Sequence, residues 1–220
     1  MNIFKRRKSS KIKSWLKRGS TSTRDVASYY DQWADQYDTD VGSWDYRAPD
    51  YAAGLLEKHV PPKSRRILDA GCGTGLTGRE LRQRGYQNII GMDISFDSLC
   101  MAHSAATYNL LLQQDLQHQP FPLITDSFDA VMCIGVLAYI ADAESLFREF
   151  ARLTKPGGYI VFSQRNDLFD ERNYEKMLDM FQNERVWQRI SVSDPMKYLP
   201  ENDEFADTLL VIYCVLRVIK

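Results

Sequence analysis

The stretch Ile67-Leu68-Asp69-Ala70-Gly71-Cys72-Gly73-Thr74-Gly75-Leu76-Thr77-Gly78 decides the fold of this 220-residue chain. Apolar and small residues flank an acid, and glycine then falls at every second position. Such a run ends a buried strand, turns sharply and opens a helix. Gly71, Gly73 and Gly75 can accept positive φ and expose bare backbone to a ligand. The first N–H groups of the following helix then point at that ligand. Asp69 stands at the carboxyl end of the strand, where open α/β sheets bind their ligands. A dinucleotide fingerprint reads G-x-G-x-x-G, with pyrophosphate on the helix N-terminus. The spacing here is G-x-G-x-G, and a carboxylate aimed into the pocket would repel a pyrophosphate.

The stretch resembles motif I, D-x-G-x-G-x-G, of the class I S-adenosylmethionine-dependent methyltransferases. The resemblance implies that Asp69, Ala70, Gly71, Cys72, Gly73, Gly75 and Leu76 surround the methionine part of that cofactor. It continues downstream in order. Asn88 to Met92 reads as a second strand that ends at Asp93, where an acid can accept both ribose hydroxyls of a nucleoside. A helix cap at Asp93 or Ser95 is the alternative reading. Asp115 closes the apolar run Leu110–Leu116, and the resemblance gives such an acid the adenine amino group. Ile94, Leu116, Ile134 and Gly135 flank these positions and join the expected cofactor contacts. Phe128 to Leu137 looks like the fourth strand and the start of the active-site loop. Lys155-Pro156-Gly157-Gly158 reads as a turn into a fifth strand through Phe162. The expected fold is therefore α/β, Rossmann-like, with a seven-stranded, mostly parallel sheet, helices on both faces and a C-terminal antiparallel hairpin.

Upstream, Val26, Tyr29, Tyr30, Trp33 and Tyr37 recur at three- and four-residue spacing, which predicts a helix over 23–38 capped by Thr23 or Asp25. The words Tyr29-Tyr30-Asp31-Gln32-Trp33-Ala34 and Gln36-Tyr37-Asp38 resemble the helix before motif I in many small-molecule methyltransferases, where it forms a lid. The segment Tyr46-Arg47-Ala48-Pro49 extends the likeness to the Williams–Beuren-region methyltransferase-like proteins. That resemblance gives Tyr29, Tyr37 and Arg47 to the cofactor, and Tyr37, Tyr139 and Arg47 to positioning at the methyl path. Arg47 has a plainer alternative, a surface pair with Asp45. Many relatives carry Glu-His after the strand-four loop; Ala138-Tyr139 stands here instead, which removes the usual histidine base. No Asn-Pro-Pro-Tyr follows strand four.

Residues 25–220 carry 19 basic against 29 acidic residues, a formal −10, which argues against a nucleic-acid surface on the body. Residues 1–24 hold nine Lys or Arg and no acid. That tail fits a flexible extension, a membrane-surface helix carrying Ile12, Trp15 and Leu16, or an organelle transit segment. The domain plan is a basic flexible tail over 1–22, then one domain over 23–220. Within it, 23–62 forms lid helices, 65–165 the cofactor core, and 166–220 a helix (171–182) and a hairpin of strands 187–192 and 208–219. Cys72, Cys100, Cys133 and Cys214 show no metal-ligand spacing and read as reduced and buried in a cytoplasmic protein. The function expected is methyl transfer from S-adenosylmethionine to oxygen or nitrogen of a small molecule, with acceptor contacts in the lid and the 193–206 loop. A cofactor-binding but idle interaction module and a dinucleotide oxidoreductase remain as alternatives, and oligomeric state is not encoded in any motif.

Overall fold

A computed structural model describes residues 15–17, 19–61 and 65–220. Two helices come first, α1 (Thr23–Ser43) and α2 (Ala48–Glu57). The alternating core follows: β1 (Arg66–Ala70), α3 (Leu76–Gln83), β2 (Asn88–Asp93), α4 (Phe96–Ser104), β3 (Leu110–Gln113), β4 (Phe128–Cys133), a short 3-10 turn (Leu137–Tyr139), α5 (Ala143–Leu153) and β5 (Thr154–Arg165). The chain ends with α6 (Asn166–Glu171), α7 (Tyr174–Asn183), β6 (Trp187–Val192), β7 (Met196–Lys197) and β8 (Leu210–Val218).

The sheet order is β3-β2-β1-β4-β5-β8-β6, with the two-residue β7 on the end of β8. The first five strands are parallel, and β8 pairs antiparallel with both β5 and β6. The two-residue alternation of strands splits the core into two layers. Leu68, Ala70, Val131, Cys133 and Phe162 face α5 and α7; Ile67, Ala130, Met132 and Val161 face α2 and α3. Asp69 shares the second face, and this decides what it can touch.

Several boundaries differ from the sequence reading. Helix α1 runs to Ser43 rather than Asp38, and its cap is Ser22, whose hydroxyl accepts the Asp25 N–H at 3.4 Å. The polar end of α1 is held by Trp33, whose indole N–H donates to Asp40 at 2.7 Å. The Lys155–Gly158 turn lies inside β5 as a bulge: pairing jumps from Phe128↔Thr154 to Ala130↔Tyr159. The helix expected over 171–182 is two, broken at Asn173, whose φ is 53°. Cys72, Cys133 and Cys214 are buried, but Cys100 is exposed on α4.

The expected boundary at residue 22 is not where packing begins. The ring of Trp15 stacks on Tyr29 with centroids 4.3 Å apart. Arg165 donates to the Leu16 carbonyl at 2.7 Å, and Gln117 donates to the Thr21 carbonyl at 2.9 Å. The readings made on residues 1–14 lie outside the described residues.

Candidate functional site

A cavity of about 710 Å³ opens beyond the carboxyl ends of β1, β2 and β4. Its walls include Gly71 and Gly73 after β1, Asp93 at the end of β2 and Ile94 after it, Asp115 and Leu116 after β3, and Ile134 and Gly135 after β4. This is where a parallel sheet gathers its ligand-binding loops. Helix α1 closes the top with Thr23, Val26, Tyr30 and Tyr37.

The loop after β1 is built around Gly73. Its φ is +51°, and a Cβ placed there would meet nothing within 4 Å, so the loop presents bare backbone to open cavity. The carboxylate of Asp93 braces this loop: it accepts the Gly73 N–H at 2.8 Å and the Ser95 N–H at 2.9 Å. Ser95, not Asp93, caps α4, accepting the Ser98 N–H at 3.0 Å. With three backbone N–H donors on its four lone pairs, the carboxylate keeps one for a ligand hydroxyl. Burial pushes the Asp93 carboxyl above the usual range, against three backbone N–H donors that pull it down.

Asp115 lies two residues past the end of β3. Burial raises its pKa, but the Gln117 N–H, the Thr23 hydroxyl and His118 outweigh this and leave it below the ordinary value. The Thr23 bond is 2.7 Å and begins a row of ties along one face of α1. Eight residues on, Asp31 accepts the Ser95 hydroxyl at 2.7 Å. Seven further, Asp38 accepts from Thr74 and from Arg79, each at 2.5 Å. The lid helix is thus latched to the loops after β1, β2 and β3.

Gly135 marks a junction. A second chamber of about 610 Å³ adjoins the cavity and shares Tyr30, Tyr37, Gly135 and Tyr139 with it. Trp33, Trp44, Tyr46, Tyr198, Leu199 and Leu16 add to its aromatic and aliphatic wall, with Ser163, Gln164 and Arg165 at the end of β5. The Tyr30 hydroxyl donates to that of Tyr139 at 2.9 Å. Burial raises the phenols of Tyr30, Tyr37, Tyr46 and Tyr139 above their ordinary value, so all are neutral donors near pH 7.

Of the residues expected at the cofactor, Tyr37, Gly71, Gly73, Asp93, Ile94, Asp115, Leu116, Ile134 and Gly135 line the cavity. Seven others do not. Asp69 is 1% exposed and turns under the loop, where Tyr108 donates to it at 2.7 Å. Strand alternation puts it on the Ile67 face, it is not among the residues that line the cavity, and its Oδ1 is buried without a hydrogen-bond partner. Ala70 and Cys72 are buried within and behind the turn. Gly75 caps α3 with its φ at 96°, packed on Tyr108 and Ala102, and Leu76 begins that helix. Tyr29 packs against Trp15 and Trp33. The side chain of Arg47 is 74% exposed and pairs with Asp45 at 2.7 Å. It therefore reaches neither the cofactor cavity nor the methyl path. Tyr139 and Tyr37 line both chambers at their junction.

The sequence reading missed Tyr198, Trp44 and Thr74. Thr74 sits inside the quoted glycine run and could have been found there; Tyr198 carries no local signal beyond its place in the 193–206 loop.

Residues 68–162 match the methyltransferase domain family. Human methyltransferase-like protein 27 is 35% identical over 167 residues, which cover 73% of this chain and 67% of that protein. The chain belongs to the class I S-adenosylmethionine-dependent methyltransferases. A ubiquinone biosynthesis O-methyltransferase from Chromobacterium violaceum is 32% identical over 119 residues, 51% of this chain and 49% of that enzyme. The chain thus spans about half the length of that relative. Among solved structures, a magnesium protoporphyrin IX methyltransferase from Synechocystis with bound S-adenosylmethionine superposes with a TM-score of 0.67 at 17% identity. It covers 89% of this chain and 96% of that one, which shows the shared fold.

For this methyltransferase the cofactor is S-adenosylmethionine, and the dinucleotide and idle-module readings give way. The cavity fits the group on its own evidence: Gly73 leaves room against backbone, and the Asp93 carboxylate beside it keeps a lone pair for a hydroxyl.

Proposed function

We propose that this methyltransferase moves the methyl group to an oxygen or nitrogen of a small molecule held in the aromatic chamber. The observation that carries the reading is the junction at Gly135, where a chamber of about 610 Å³ meets the cofactor cavity. S-Adenosylmethionine, when bound, supplies an electrophilic methyl on a sulfonium. The chain's own residues align, enclose and dehydrate. Asp93 and Gly73 fix the nucleoside side, and Tyr30, Tyr37 and Tyr139 close the junction against water. Aromatic faces there attract a cationic sulfur by about 0.5–2 kcal/mol. Holding the acceptor in line lowers the barrier through proximity and orientation.

The described residues lining the chamber include no His, Lys, Asp or Glu. The neutral tyrosines do not remove a proton near pH 7. The acceptor therefore reacts through an atom that already carries a free lone pair. The names of the O-methyltransferase relatives support oxygen as that atom. A cytoplasmic site of action belongs to the same proposal, supported by four cysteines that are all free.

Incubating the full chain with tritium-methyl S-adenosylmethionine and a metabolite extract tests the reading. Label should pass to a small, extractable product. Label found only in protein or nucleic acid would overturn it.

A further inference from the structure

The atom to be methylated must come to rest at the junction, and two hydroxyls already converge there. A Cβ built on Gly135 would lie 2.9 Å from the hydroxyls of both Tyr46 and Tyr198. The two side chains arrive from opposite ends of the sequence. Tyr46 precedes α2, and Tyr198 is set by its backbone N–H, which donates to the Leu209 carbonyl at 3.2 Å beside β8. Their rings meet edge to face at 5.2 Å. The Tyr198 hydroxyl donates to that of Tyr46 over 3.4 Å, a long bond, and the Tyr46 O–H has no acceptor among the described residues. The pair therefore holds one free donor and one weakly engaged donor, both beside Gly135.

We infer that Tyr46 and Tyr198 form a two-donor clasp that positions an ionised oxygen of the acceptor, a carboxylate or an acidic phenol, for methylation. This deepens the transferase reading above and rests on it. The free O–H can donate to an anion, and the chamber's described lining offers an ammonium no carboxylate to pair with. Arg165 is the sole charged residue among the chamber's described lining, and its guanidinium is already paired with Asp167. Burial also holds both phenols in their neutral form, with Tyr198 pushed up to about 12, so each keeps its proton beside an anion.

The step balances without a base. A lone pair of the acceptor oxygen forms the new C–O bond while the C–S bond breaks, and both electrons of that bond remain on sulfur. The anion becomes a neutral ester or ether, and no proton is released. The aromatic walls would also attract an ammonium ion. Such an acceptor would have to shed a proton before reacting, and the chamber's described lining holds no carboxylate or imidazole to take it.

The test uses the full chain saturated with S-adenosylhomocysteine, and two probes, 4-nitrophenol and benzylamine. The nitrophenolate anion is yellow, so its ionisation is read directly by absorbance, without turnover. The protein should bind 4-nitrophenol as the yellow anion and in preference to benzylamine. Tyr46→Phe and Tyr198→Phe keep the rings and remove one donor each. Each should weaken nitrophenolate binding by about tenfold, the worth of one hydrogen bond to a charged group at the low end of its range. Affinity for S-adenosylhomocysteine should not change in either variant. Binding of the colourless neutral phenol, tighter binding of benzylamine, absence of nitrophenolate binding, or Phe variants equal to the parent protein would each overturn the clasp. Failure of the parent protein to bind S-adenosylhomocysteine would instead remove the transferase reading, and the clasp with it.

Discussion

Asp93 and Asp69 are both acids at the ends of buried strands, and both stand in the sequence where a ligand carboxylate is expected. The structure separates them. Asp93 is the last residue of β2 and borders the cavity, while Asp69 is the penultimate residue of β1 and turns to the far face. No local signal distinguishes the two, because one position along a strand reverses the side. Asp93→Ala should weaken S-adenosylhomocysteine binding ten- to a hundredfold by calorimetry, from about 1.5–3 kcal/mol per charged hydrogen bond. It should also lower the melting temperature, because the Gly73 and Ser95 N–H groups lose their acceptor. Unchanged affinity with lowered stability would reduce Asp93 to a brace. Asp69 makes the opposite kind of prediction. Burial raises its pKa from 3.8 to about 7. The folded state then binds a proton that the unfolded state has lost between those two values. The stability from this protonated carboxyl is present below the unfolded pKa and lost as pH rises from about 4 to about 7. Asp69→Asn removes the titration. The stability of the parent protein relative to Asp69→Asn should fall across that window in denaturant melts. Parallel pH profiles would show an ordinary pKa.

At the scale of elements, the pattern of strands and helices was readable because β1 to β4 are short apolar runs closed within two residues by an acid or glycine. The lid helix was readable for the same kind of reason, an aromatic stripe at helical spacing. Its last turn was not, since Thr39, Asp40 and Gly42 favour other conformations and are held by the Trp33–Asp40 bond and the burial of Val41. The two aromatic clasp residues were unreadable as a pair, because their meeting depends on the long-range pairing of β8 with β5 and β6. The turn after β1 offers the sharpest test of the element assignment. Gly73→Val forces a branched side chain into left-handed backbone and into the one direction where the loop opens on free space. Binding of S-adenosylhomocysteine should be abolished, while circular dichroism stays native because no core atom is displaced. Normal binding by this variant would mean that the ligand does not lie against the loop.

The whole molecule closes over its two chambers with a segment that composition alone marked as a loose basic tail. Lysines and arginines set the average there, but the contacts come from Trp15, Leu16 and the backbone. Trp15 stacks on Tyr29, Leu16 enters the wall of the second chamber, and Arg165 takes the Leu16 and Lys17 carbonyls at 2.7 and 3.4 Å. Neither main core layer uses a residue before Ala48 among its buried members. Removing residues 1–17 should therefore leave the fold intact, with Ser22 still capping α1. One stacked aromatic pair is worth about 0.5–1.5 kcal/mol beyond its buried area, so the expected loss of stability is small. The effect on ligands should be larger in rate than in affinity. Tyr30 and Tyr139, which line both chambers, would lose the cover that Trp15 and Leu16 provide, and α1 would keep only its latches at Thr23, Asp31 and Asp38. Bound S-adenosylhomocysteine should dissociate several-fold faster in stopped-flow chase, with about 1 kcal/mol corresponding to a fivefold change. A truncated protein that fails to fold would make the segment part of the domain itself. An unchanged dissociation rate would show that the three latches along α1 govern escape without it.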